Sequence, residues 1–227
     1  MRVSVVIPTL DEAERIEALI VGLIGQGFDE IVVADGGSCD ATAALAAAAG
    51  AVVVSTLRGR GRQLGAGADA ADGDILFFVH ADSLPPADAR RRIETALAKE
   101  SVSAGCFSLT FDVAHPLLRF YAFMSRINHS LFTYGDQGLF LRRSTYLGIG
   151  GYRDLPLFED VEILQRLRRM GRIVKLNAPM LTSARRFLRD GVARRELMSA
   201  GLVALYHLGV APSRLERWYR PDKQGRE

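Results

Sequence analysis

The 227-residue chain has only two cysteines, Cys39 and Cys106, and they stand apart from each other. No paired-cysteine zinc site and no disulfide framework can be built from them, and a reducing compartment suits such a chain. No stretch rich in Gly, Ser or Pro and no internal repeat divides the sequence. No apolar run approaches the ~18–20 residues of a membrane span. Met1 to Pro8 lacks the basic start and cleavage site of a signal peptide, so a cytoplasmic location is expected. Two nucleotide signatures are missing as well. Without a G-x-x-x-x-G-K-[ST] loop, a P-loop kinase or ATPase is excluded. Gly59, Gly61 and Gly65 are spaced somewhat like a dinucleotide fingerprint, but they follow the third apolar run instead of the first. The first turn holds Pro8-Thr9-Leu10-Asp11-Glu12 and no glycine, which argues against a Rossmann dehydrogenase.

What is present is an ordinary globular balance, 48% hydrophobic and 24% charged, with enough length for a real core. The net charge of +3 hides a split. Residues 1–113 carry nine Lys/Arg against sixteen Asp/Glu, and residues 114–227 carry twenty against ten. An acidic half joined to an arginine-rich half suits metal and carboxylate chemistry first and recognition of an anion second, arginine being the bidentate phosphate binder. A solvated basic face is the plainer alternative.

The first half alternates strand and helix. Val3–Ile7, Glu30–Ala34, Ala51–Ser55 and Ile75–Val79 read as buried parallel strands. Helices are expected from the Ile16/Leu19/Ile20/Leu23/Ile24 spacing, over Ala41–Ala49, near Gln63–Ala71, and from Pro85 and Pro86 through Lys99. Thr9-Leu10-Asp11-Glu12 has the form of a capping box. Beyond these come a strand over Ala104–Val113, an aromatic helix over Pro116–Phe132, a strand at Leu139–Leu141 and a helix over Phe158–Met170. Short strands follow at Ile173–Leu176 and Pro179–Thr182, then a helix over Val192–Leu208 and a basic tail, Arg214–Glu227. Such a chain is α/β, with a mostly parallel sheet covered on both faces and a helical C-terminal elaboration.

Polar clusters fall after each of the first four strands, where open α/β sheets bind ligands. Asp82 ends an all-apolar run in His80-Ala81-Asp82 and needs a partner, for which a divalent cation or a helix-capping role would serve. Asp35 similarly follows Ile31–Ala34. It could accept hydrogen bonds from a nucleobase, with Gly36 and Gly37 allowing close approach, or it could form an Asx turn.

The pieces V-V-I-P-T-L-D-E, V-A-D-G-G-S-C-D, the Arg-Gly run ending Arg62-Gln63, F-F-V-H-A-D, G-D-Q-G-L-F and F-E-D-V-E-I come in that order. Together they resemble the family 2 glycosyltransferases, which have the GT-A fold, over about residues 1–185. The resemblance implies a Rossmann-like nucleotide-sugar-binding half, residues 1–113, and an acceptor-side half, residues 114–227, within one domain. Pro8, Thr9 and Glu12 would line the nucleotide pocket, Asp35 beside Gly36 would read the base, and Arg62 would lie near the diphosphate. His80, Ala81 and Asp82 would join the nucleotide-sugar pocket, and Asp82 would bind Mn2+ or Mg2+. His80 stands where the family usually has an aspartate. Asp160 would be the general base of an inverting transfer to an acceptor hydroxyl, with Glu159 able to share the role. Asp136 and Gln137 would hold sugar or acceptor hydroxyls, and Arg185 and Arg186 would close over the diphosphate.

A nucleotidyltransferase and a non-catalytic nucleotide-sugar-binding protein are the rival readings. The apolar Pro116–Phe132 helix admits core packing, a homodimer contact, or peripheral contact with the inner membrane face around a lipid-linked acceptor. No nucleic-acid-binding motif is present.

Overall fold

The computed structural model describes residues 1–129 and 132–219. Ser130 and Leu131 of the expected aromatic helix, and residues 220–227 of the expected tail, lie outside the described residues. The four apolar runs of the first half become one parallel block. In it β1 (Val3–Thr9) lies between β2 (Glu30–Asp35) and β4 (Ile75–Phe78), with β3 (Val52–Ser55) outside β2. Alternation along β1 sends Val3, Val5 and Ile7 to one face and Val6 to the other. The first face is covered by α1 (Ala13–Gly25), α2 (Thr42–Ala48) and α4 (Ala89–Leu97), through side chains such as Ile16, Ile20, Ala46 and Ile93. The second is covered by α3 (Arg60–Ala70), α6 (Arg143–Gly148) and α7 (Glu159–Met170), through Leu64, Tyr146, Ile163 and Leu167. Both faces of β1, β2 and β4 are therefore covered, which is why apolar residues dominate these three strands. Phe77 lies at the centre, its ring 5.6 Å from Phe28 and 5.7 Å from Phe107.

The second half extends this sheet with reversed directions. β7 (Phe140–Arg142) runs antiparallel to both β4 and β6 (Val102–Phe111), β8 (Arg172–Thr182) runs parallel to β6, and β5 (Ser83–Leu84) closes the edge antiparallel to β8. The full order is β3-β2-β1-β4-β7-β6-β8-β5, with four of the seven pairings parallel.

Several expectations are corrected. The two short strands at 173–182 are the single strand β8, with a register shift opposite Phe107 and Ser108 that absorbs the Asn177–Ala178 step. The aromatic helix is shorter, α5 (Pro116–Met124), opened by Pro116 at its first turn. The Thr9–Glu12 capping box does not form: Thr9 belongs to β1, and the Ala13 N–H at the start of α1 donates instead to Asp40. Nor does Asp82 cap the following helix, whose N-terminal cap is Asp88.

After β8 come α8 (Arg185–Asp190), α9 (Val192–His207) and α10 (Pro212–Leu215). Leu202, Val203 and Leu215 pack on Phe158 and Val161 at the start of α7, and the Tyr206 and Phe158 rings stack at 4.8 Å. Leu118 of α5 joins Ala184 and Val192. Among the described residues no helix is long and apolar enough to cross a membrane.

Candidate active site

The loops at the carboxyl ends of β1 and β2 are laced together by side chains. Asp35, buried at the end of β2, accepts from the Gly37 and Ser38 N–H groups, from the Ser38 hydroxyl and from the Thr9 hydroxyl. Asp11 accepts from the Cys39 N–H and donates its own N–H to Ser38, at a left-handed φ of 54°. The Glu12 N–H donates to Thr42 Oγ1. Below them Gln63, buried on α3, donates its amide to the carbonyls of Thr9 at 2.7 Å and Ala34 at 3.1 Å, so one side chain ties β1 to β2. A Cβ on Gly36 would lie 2.8 Å from that amide nitrogen, so a side chain there would push Gln63 off the two carbonyls.

Beside these loops lies a cavity of about 810 Å³. Its polar side holds Arg60 from α3, His80 and Asp82 after β4, Asp136 before β7, and Glu159 and Asp160 at the start of α7. Arg186 of α8 also lines it and reaches back to Glu12 at 3.7 Å, joining the cavity to the loop after β1. Asp160 is fixed from both sides: Oδ2 accepts the Gly135 N–H at 2.7 Å and Oδ1 the Val161 N–H at 2.8 Å. His80 is close by, for a Cβ on Gly135 would lie 3.2 Å from Asp160 Oδ2 and 3.4 Å from His80 Nε2. The residue that launches this turn, Phe158, holds a left-handed φ of 65°, strain of the kind that accumulates at functional sites.

Crowding carboxylates in one cavity perturbs them. Burial pushes the Asp136 carboxyl up to about 7, the charges of Asp160 and Asp82 add to the rise, and Lys175 and Arg60 oppose it. Its Oδ1 is buried with no hydrogen-bond partner. Burial also raises Glu159 to about 7 against the pull of Arg60, whose Nε lies 3.6 Å from its carboxylate. Asp82 goes the other way: burial would raise it, but its interaction with His80, and after that the charges of Arg186 and Arg60, hold it below the usual carboxylate range. Burial, with the same two arginines, keeps His80 neutral. Glu12 is raised by burial, with Asp82 adding to the rise and Arg186 and Arg185 working against it.

Residues 4–146 match the sequence profile of glycosyl transferase family 2. The chain belongs to that family. The glucosyl-3-phosphoglycerate synthase of Mycolicibacterium smegmatis is 40% identical over 96 residues, covering 37% of this chain and 32% of that one. The corresponding synthase of Mycobacterium tuberculosis strain H37Rv is 36% identical over 96 residues, covering 37% and 30%. The matched segment thus spans about a third of the length of these relatives. Among solved structures, the M. tuberculosis synthase in complex with Mn2+, UDP and glucosyl-3-phosphoglycerate has a TM-score of 0.63 at 23% identity, covering 89% of this chain and 79% of that one. Staphylococcus aureus TarS has a TM-score of 0.68 at 17% identity, covering 81% and 37%. At these identities the likeness is one of fold, and the fold is the GT-A architecture of this family.

Most of the family motifs converge. His80, Asp82, Asp136, Glu159, Asp160 and Arg186 share the cavity, while Thr9, Glu12, Asp35, Gly36 and the half-buried Pro8 form the loops beside it. Arg185 contacts Glu12 at 3.7 Å and Glu14 at 3.9 Å, outside the cavity. Three expectations are not met. Arg62 points away from the cavity and pairs with Asp154 at 2.8 Å, and Arg60 enters in its place. The cause is the helix start: α3 begins at Arg60, and Gly61 packs so tightly that a Cβ would lie 2.4 Å from the Arg153 carbonyl. Gln137 is wholly buried, its amide donating to the Phe132 carbonyl and accepting from Lys175, so it offers nothing to a sugar. Ala81 packs into the core. The functional residues missed in the sequence are Arg60 and the structural tie Gln63. Both sit in the Arg-Gly run, but only the helix phase separates them from Arg62.

Proposed function

We propose that this chain transfers a sugar from a nucleoside-diphosphate sugar to an acceptor hydroxyl, inverting the anomeric carbon. The observation that carries it is the convergence of Asp82, Asp136 and Asp160 with Arg60 and Arg186 in one cavity at the carboxyl ends of the strands. Residues 1–113 supply the donor side and residues 114–219 most of the acceptor side. Asp35, its four acceptor sites taken up within its own corner, shapes the base side of the pocket without contacting the base through its carboxylate, and Arg186 and Arg60 face the diphosphate. In the reaction the acceptor O–H proton passes to Asp160 and its oxygen bonds to the anomeric carbon. The bond from that carbon to the diphosphate oxygen breaks, and the electron pair leaves with the nucleoside diphosphate. Asp160 suits the base role because each oxygen accepts only one main-chain N–H and keeps a lone pair.

A divalent cation fits the residues present. Asp82 stays ionised, and Asp136 has a buried oxygen lacking a partner. Magnesium and manganese are commonly held by one or two carboxylates together with substrate phosphates, so Asp82 would hold the ion with Asp136 beside it. When bound, such an ion neutralises the charge that grows on the leaving diphosphate. The Mn2+, Mg2+ and UDP complexes of the M. tuberculosis relative support this reading.

The test is Asp160→Asn, which keeps the shape and removes the base. Transfer falls by about 10²–10⁴-fold in kcat while the affinity for the nucleoside diphosphate, read by calorimetry, stays the same. Unchanged turnover would overturn the base assignment.

A further inference from the structure

The side of the cavity away from the carboxylates is apolar, and the transfer chemistry leaves that unexplained. On α5, Leu117, Phe120, Tyr121 and Met124 follow one another at i, i+3, i+4 and i+7 and line the cavity, while Leu118 between them is wholly buried in the core. On α9, Ala193, Leu197 and Ala200 repeat the pattern at i, i+4 and i+7 in the same cavity. Phe120 is 63% and Leu197 75% exposed, so both present apolar surface to open space. The lining is continuous with the proposed base. Leu157 and Phe158 immediately precede Glu159-Asp160, and Tyr134 precedes the Gly135 that holds Asp160. A volume of about 810 Å³ leaves room for more than a sugar ring.

Charge narrows the ligand further. Three arginines line the cavity against four carboxylates, and each arginine has an acidic partner. Arg60 meets Glu159 at 3.6 Å, Arg186 meets Glu12 at 3.7 Å, and Arg195 meets Asp190 at 2.5 Å while lying over the Phe187 ring. With the donor diphosphate already drawing on this set, a second polyanion would have to take these arginines from the carboxylates they already face.

We infer that the acceptor is an uncharged alcohol carrying a hydrocarbon chain, its hydroxyl at Asp160 and its chain in the apolar vault between α5 and α9. The inference rests on the glycosyltransferase reading of the same site and names its acceptor class.

The experiment follows binding of a dansyl-tagged dodecanol to the full chain by fluorescence, with displacement by butanol, hexanol, octanol and decanol. Transfer to the same alcohols and to phosphoglyceric acid is measured in parallel. Displacement strengthens roughly fourfold per added methylene until the vault is filled. Phe120→Glu or Leu197→Glu, changes at exposed positions, weakens it tenfold or more. The melting-temperature rise with UDP and Mn2+ reports whether each variant keeps its fold and donor site. Affinity that ignores chain length, displacement untouched by either substitution, or phosphoglyceric acid accepting sugar better than every alcohol would each overturn the assignment. Alcohol binding with the expected chain dependence, but no response to any nucleoside diphosphate, would keep the apolar site and remove the glycosyltransferase reading instead.

Discussion

The two sides of the site are built on opposite principles. On the nucleotide side nearly every polar group has a partner inside the protein: Asp35, Asp11 and Asp40 each bind main-chain N–H groups of neighbouring loops, and Gln63 binds two carbonyls. On the acceptor side Asp136 carries a buried oxygen without a partner, two carboxyls are pushed up to about 7, and exposed aromatic and aliphatic side chains face open space. The nucleotide side is therefore set before ligand arrives, at the cost of little reorganisation. The acceptor side holds unfavourable charge and bare apolar surface that a ligand relieves. A preorganised half and a frustrated half divide donor recognition from catalysis.

The comparison can be broken most sharply at α3, which serves both sides. Arg60→Ala removes the cavity guanidinium that faces Glu159, and a charged hydrogen-bonding group of this kind is worth roughly 10–100-fold in transfer rate. Arg62→Ala, which removes only an exposed pair with Asp154, changes the rate by less than about fivefold. Initial rates of the two variants at saturating donor decide this, and equal losses would return Arg62 to the site.

A smaller effect is expected from the rigid side. Gln63→Ala strips the buried Thr9 and Ala34 carbonyls of a partner and costs about 1–3 kcal/mol of stability, measured by urea unfolding. Loss of less than half a kcal/mol would show that the two loops do not depend on this tie.

The smallest effect is the pH response of the frustrated side. Asp136 and Glu159 sit at about 7 in the fold against ordinary values of 3.8 and 4.5, so between those values the folded state binds more protons than the unfolded chain. Stability therefore falls as pH rises towards 7 and levels off above about 8. His80, held at about 3 against an ordinary 6.5, gives the opposite slope below 6.5, so the carboxyl effect is cleanest between pH ~6.5 and ~8. Melting temperatures without metal across that window decline by a few degrees, and Asp136→Asn flattens the decline.

The same contrast explains what could be read from sequence. Each nucleotide-side loop follows a mainly apolar run, Val3–Ile7, Ile31–Ala34 or Ile75–Val79, so strand and loop were legible from pattern, while the GT-A arrangement came from the family resemblance. Asp82, Asp136, Glu159 and Asp160 were legible as residues because short acidic motifs carry them. Their meeting in one cavity depends on the reversed strand β7 and the start of α7, which no local pattern encodes. β5 has two residues, and α6 and α8 have six each, too short for any periodicity to show. β8 was split in two because Pro179 and the Asn177–Ala178 step interrupt its apolar pattern, and pairing with β6 overrides that. Gln137 was expected to hold sugar or acceptor hydroxyls because it stands beside Asp136 in the G-D-Q-G-L-F motif of the family resemblance. The single turn of 3-10 helix at Gly135–Gln137 instead turns its amide inward to Lys175.

The central claim is that the prebuilt side holds a nucleoside diphosphate through a cation at Asp82. It is tested most directly by melting the protein with UDP, GDP, CDP and ADP, each with and without Mn2+. At a ligand excess of about a hundredfold over Kd, binding adds about 2.7 kcal/mol, or roughly 5–10 °C for a chain of this size. One diphosphate is expected to give that rise only with Mn2+, and Asp82→Asn is expected to abolish it. No rise with any of the four in the presence of Mn2+ would contradict the account.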